Sequence, residues 1–99
     1  MAQNPLQPME NLDPELMKQM RASQQMALAD GALPRKYKLL IAMALDASKG
    51  AAGGVGGLCR QAMQAGATKQ EVAEALRVTY YICGGGSVHT AAQGLKEIF

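Results

Sequence analysis

Apolar residues in this chain recur three and four positions apart along successive segments, and no stretch alternates apolar and polar residues in sustained twos. That spacing specifies helices and argues against strands. Composition agrees: only 4% of the chain is aromatic, Trp is absent, and the apolar content comes from Ala, Leu and seven Met, which favour helix over sheet. The fold class read from these features is all-α.

Start and stop signals divide the chain into about five short helices. Residues 1–12 carry Pro5 and Pro8 with little periodicity and read as an N-terminal arm, leaving residues 13–99 as one domain. Asp13-Pro14-Glu15 opens the first helix: Asp13 accepts from free amides, Pro14 suits the first position, and Glu15 complements the dipole. Leu16, Met17, Met20 and Ala27 form its apolar stripe, and Asp30-Gly31 stops it. Pro34 opens a second helix with Tyr37, Leu40, Ile41, Ala44 and Leu45 on one face. Five glycines among the nine residues from Gly50 to Leu58 then break the pattern, which resumes at Val55, Leu58, Cys59, Ala62 and Met63 and ends at Gly66. Thr68-Lys69-Gln70-Glu71 is a capping box for a helix facing inward with Val72, Ala75, Leu76, Thr79 and Ile82 or Cys83. After Gly84-Gly85-Gly86, Ser87 is placed to cap a last helix with Val88, Ala91, Ala92, Leu95 and Ile98 inward.

A chain of 99 residues makes one domain with a thin core. Narrow, Ala-rich faces bury little area at about 25 cal/mol per Å², so the core is expected to be completed by other copies in a homo-oligomer. Ten basic against eight acidic residues give a formal charge of +2, too weak a bias for nucleic acid or an anionic membrane surface. The start of the chain has neither a basic n-region nor an apolar h-region, and the uncharged window from Gly50 to Leu58 is glycine-rich, so neither a signal peptide nor a membrane span is read. Two cysteines, Cys59 and Cys83, are too few for a disulfide framework, and the expected address is cytoplasmic.

Three segments in order carry a family resemblance. Leu33-Pro34-Arg35-Lys36-Tyr37-Lys38-Leu39-Leu40-Ile41-Ala42-Met43-Ala44 resembles the helix before the active site of carboxymuconolactone decarboxylase-like proteins. Ala65-Gly66-Ala67-Thr68-Lys69-Gln70-Glu71-Val72-Ala73-Glu74-Ala75-Leu76 resembles that family's most recognisable stretch, and Gly84-Gly85-Gly86 matches its break before the last helix. The resemblance implies an AhpD-like helical bundle assembled as a trimer or hexamer, with a peroxiredoxin-type alkylhydroperoxidase or a cofactor-free decarboxylase as the nominal activity. In the alkylhydroperoxidase branch it implies a Glu, a Cys-x-x-Cys at a helix start and a His. Those positions fall here on Leu39, Ala51, Gly54 and Leu58, and none can form a dithiol or relay a proton. Thiol peroxidase chemistry is therefore expected to be lost.

The remaining candidates have plain alternatives. Cys59 lies on an apolar stripe, either as a small core residue or as a displaced nucleophile beside Arg60. Cys83 sits at a helix C-terminus, where the dipole opposes negative charge. His89 sits in the first turn of the last helix, packed, at an interface, or as a neutral proton acceptor. The glycine run could cradle an anion through Gly53, Gly54 and Val55 with Lys49 at its edge, or could simply turn closely. It lacks Gly-Lys-Ser/Thr and a preceding strand, so it is not a P-loop. One His and two dispersed Cys form no metal set, and no cofactor is implied. Two functions stay open: an enzyme with a small pocket near Gly50–Gly57, or a non-catalytic module that binds a small ligand or scaffolds an assembly.

Overall fold

The computed structural model describes residues 4–99. These form six helices: α1 (Gln7–Leu12), α2 (Pro14–Leu28), α3 (Arg35–Ser48), α4 (Ala52–Gln64), α5 (Lys69–Cys83) and α6 (Gly85–Leu95). Among the described residues there is no strand.

Local chemistry sets most boundaries. The Leu16 N–H donates to Asp13 Oδ1 at 3.0 Å, fixing the start of α2. Asp30 acts on the following helix, its Oδ1 accepting from the Arg35 N–H at 2.6 Å. Gly66 ends α4 at φ 106°, with its own N–H donating to the Met63 carbonyl and that of Ala67 to the Ala62 carbonyl. The capping box is complete: the Glu71 N–H donates to Thr68 Oγ1 at 3.0 Å and the Thr68 N–H to Glu71 Oε1 at 2.9 Å.

Four expectations are corrected. Gln7–Leu12, within the expected arm, is helical, since Pro8 lies in the first turn where a missing N–H costs nothing; residues 1–3 of that arm lie outside the described residues. Helix α4 begins at Ala52, not Val55, and runs through Gly53, Gly54, Gly56 and Gly57. Ser87 does not cap α6, which starts at Gly85 after Gly84 at φ 83°; its hydroxyl donates instead to the Gly84 carbonyl at 2.7 Å. Several residues assigned to an apolar face are exposed: Leu16 and Met20 on α2, Tyr37, Ile41 and Leu45 on α3, Ile82 on α5, and Val88 and Ala92 on α6.

The core lies between α3, α4 and the faces of α5 and α6 that meet them. Leu39, Met43, Val55 and Cys59 are fully buried, joined by Leu40, Ala47, Ala62, Val72 and Ala91. Helix α3 thus turns Leu39, Leu40, Met43 and Ala47 inward, a stripe beside the one its periodicity suggested. The α4 glycines explain how a weak helix former sits mid-helix. A β-carbon on Gly56 would lie 2.5 Å from the Gly94 carbonyl oxygen, and one on Gly94 would overlap the Ala52 oxygen and lie 3.0 Å from Val55 Cβ. Helices α4 and α6 therefore cross backbone against backbone, a contact only glycine permits.

Each glycine can be separated by substitution. Gly56→Ala and Gly94→Ala are expected to destabilise by about 1–3 kcal/mol through overpacking. Gly53→Ala and Gly57→Ala, whose β-carbons meet nothing within 4 Å, should be neutral or stabilise by up to about 1 kcal/mol. Urea unfolding of the four variants measures both signs.

Candidate functional site

Two places could hold chemistry: the start of α4 and the open side of α3 and α5. Ala51 is the residue before α4, Gly54 its third residue and Leu58 one turn further on, so the positions noted from sequence do cluster at that helix start. They carry no reactive group there. Leu39 is fully buried in α3, Leu58 packs partly buried against the core, and Ala51 is half-buried.

In the glycine run expected to cradle an anion, the Val55 amide is engaged within the helix. Val55 is fully buried, and its N–H donates to the Ala51 carbonyl at 3.1 Å. The Ala51 N–H donates to the Asp46 carbonyl at 2.9 Å. Lys49, following α3, and Gly53 are exposed, whereas the Asp46 side chain lies against Gly54.

The three side chains singled out for catalysis are dispersed. Cys59 is fully buried, its Sγ 3.9 Å from Met63 Sδ. Burial pushes its thiol above the ordinary 9.0, against a smaller opposing effect of the Arg60 charge. Cys83 is the exposed last residue of α5, and His89 is exposed in the second turn of α6. Among the described residues no three His, Cys, Asp or Glu side chains gather as a metal site. A maleimide reagent at pH 7.5 is accordingly expected to modify Cys83 alone in the folded chain, and Cys59 only after denaturation; peptide mass mapping reads out both sites.

The open side of α3 and α5 is a groove of about 610 Å³, walled by Tyr37, Ile41, Leu45, Val78 and Ile82, with Cys83 among its lining residues. Sequence reading put the α3 residues on one apolar face and missed the groove. The available signal was two apolar stripes on α3, Leu39-Leu40-Met43-Ala47 and Tyr37-Ile41-Ala44-Leu45, more than one packing face requires. Glu71 and Glu74 also line the groove.

Glu71 ties that lining to the fold. Lys36 Nζ donates to Glu71 Oε1 at 3.2 Å and lies 3.1 Å from Oε2, while sitting 5.0 Å from the centre of the Tyr37 ring. The Thr68 backbone N–H, then Lys36, hold the Glu71 carboxyl below its ordinary 4.5. The hydrogen bond to Glu71 raises Lys36 above its ordinary 10.5. A lowered carboxyl contributes stability that is present above its unfolded value and lost as pH falls through the folded one. Urea unfolding of the parent and Glu71→Gln should differ by a constant amount at pH 6–7. That difference should shrink as pH drops below about 4.5.

The carboxymuconolactone decarboxylase family model matches residues 14–97. The chain belongs to the carboxymuconolactone decarboxylase family. Its fold is similar to the crystal structure of an apo carboxymuconolactone decarboxylase family protein from Legionella pneumophila, with a TM-score of 0.85 and 37% sequence identity over 92% of this chain and 81% of that one. No curated protein gives a significant match. This family member therefore has the all-helical fold that its sequence indicated. Among the described residues no helix is long and apolar enough to cross a membrane.

Proposed function

We propose that this carboxymuconolactone decarboxylase family member lacks thiol peroxidase chemistry and works as a homo-oligomeric module that takes a small, largely apolar ligand in the α3–α5 groove. The observation that carries this reading is the inert character of four positions: Ala51, Gly54 and Leu58 at the start of α4 and Leu39 on α3, where the resemblance puts the two thiols, the imidazole and the carboxylate of the alkylhydroperoxidase branch. Cys59 offers no substitute, because it is sealed from solvent and its thiol is held protonated by burial. Catalysis of the peroxidase kind needs a thiolate, a resolving thiol and a proton donor within reach of one another.

The groove supplies the positive half of the reading. Ile41, Leu45, Val78 and Ile82 are each about half exposed or more, and they adjoin one another across two neighbouring helices. Contiguous apolar surface of that kind marks a binding or assembly face. Association through it would supply the core that 99 residues build only thinly. A trimer or hexamer would roof the groove and enclose a cavity of the size used by small ligands.

The test combines three measurements on the full chain. Hydroperoxide consumption with a dithiol reductant should stay at the background rate, and it should be unaltered by Cys59→Ala or Cys83→Ala. Sedimentation velocity at micromolar concentration should show an oligomer, and Ile41→Asp with Ile82→Asp should dissociate it. A hydrophobic fluorophore should bind the parent saturably. Cysteine-dependent turnover would refute the loss of peroxidase chemistry, and a monomer that leaves the fluorophore dark would refute the groove.

A further inference from the structure

Helices α3 and α5 run side by side in one direction: Lys36 Nζ, at the start of α3, lies 3.1 Å from Glu71 Oε2 in the first turn of α5, and the groove between them runs on to Ser48 and Cys83, their last residues. That groove has unlike ends. Its lining holds two carboxylates, Glu71 and Glu74, both near the start of α5, and no basic side chain. Glu71 is met by Lys36, whereas Glu74 accepts from Gln70 Nε2 at 3.1 Å and makes no ion pair among the described residues. Arg77, in the middle of α5, does not line the groove. At the far end Ser48 is followed by Lys49, which is exposed and also makes no ion pair among the described residues. The walls between the ends are apolar and open, at Ile41, Leu45, Val78 and Ile82.

A face with an acidic end and a basic end is complementary to itself after a half-turn. We infer that the partner over the α3–α5 groove is a second copy of this chain, packed groove to groove about a two-fold axis near Ala44 and Val78, with Glu74 of each copy meeting Lys49 of the other. Charge decides the direction. Copies packed in parallel would set Glu74 against Glu74 and align the dipoles of four helices, whereas antiparallel copies oppose them. The apolar positions fit the same operation. Counting from the Lys36–Glu71 contact at about 1.5 Å per residue, Glu74 stands level with Leu39, and Lys49 lies roughly 15 Å further along. Ile82 stands level with Ala47, so the midpoint between Ile41 and Ile82 coincides with that between Glu74 and Lys49, at Ala44. One half-turn therefore joins the charges at both rims and brings Ile41 onto Ile82 of the second copy. The inference rests on the homo-oligomer of the proposed function and deepens it: two facing grooves make one enclosed cavity, and each copy completes the other's ligand wall. A hexamer built from dimers contains such an axis, and a trimer does not.

Charge reversal on the full chain, read by sedimentation velocity over a range of concentrations, decides the matter. Glu74→Lys and Lys49→Glu should each weaken the two-fold contact about tenfold or more, by placing like charges together at both rims. The two changes combined should restore the parent's assembly. A double variant weaker than either single one overturns the inference, and so does a parent that sediments as a trimer. Cross-linking tests the direction separately. In a Cys83→Ser background, a short bismaleimide should join Glu74→Cys chains to Lys49→Cys chains in an equimolar mixture and should join neither kind to itself. Links within either single population, or none in the mixture, overturn the antiparallel arrangement. A monomeric parent would sink the homo-oligomer of the proposed function, whereas an oligomer that ignores both charge reversals overturns this inference alone.

Discussion

The contact of α4 with α6 is made by backbone, and the rest of the bundle is arranged around it. Gly56 and Gly94 bring main-chain atoms to distances that no side chain tolerates, drawing α6 onto the face of α4 beside Val55. Close approach replaces bulk as the source of burial, which is how a chain with one Phe, three Tyr and no Trp makes a dry centre. Helix propensity is given up along α4 at about 1 kcal/mol for each glycine relative to alanine. That loss is recovered only where tertiary packing uses the missing side chain, as at Gly54, Gly56 and Gly94.

The outer faces of α3 and α5 nonetheless carry apolar side chains. Helix α3 serves two surfaces, with Leu39 and Met43 fully buried while Ile41 and Leu45 line the groove. In the proposed function ligand and assembly share this wall, and the Lys36–Glu71 pair at the beginning of α5 joins it to the capping box.

Much of the fold was legible in the sequence, because local chemistry decided it. Asp13, Gly66 and the Thr68–Glu71 pair each satisfied backbone groups at the helix ends where they were expected. What escaped was governed by contacts far apart in the chain. The glycine run reads as a loop unless Gly94 and Asp46 are known to press on it, and Ser87 reads as a cap unless Gly84 is known to take that place. The face of α3 was misjudged for a related reason: both stripes obey helical spacing, and which one points inward depends on where α4 lies. At the candidate site, the absence of thiols at positions 51 and 54 was plain from the residues alone. The approach of the Asp46 side chain to Gly54 was not, since Asp46 belongs to a different helix.

Helices α1 and α2 are held to the body more lightly than their length suggests. Of their residues only Met17 is buried, with Leu28 packed half-buried against the core, and α1 is joined to α2 by the Arg21–Glu10 ion pair at the surface. Exposed ion pairs of that kind hold weakly. Fluctuations that lift this N-terminal hairpin away need expose little apolar surface, so its backbone belongs to the least protected cooperative unit of the molecule while α3 and α4 remain closed.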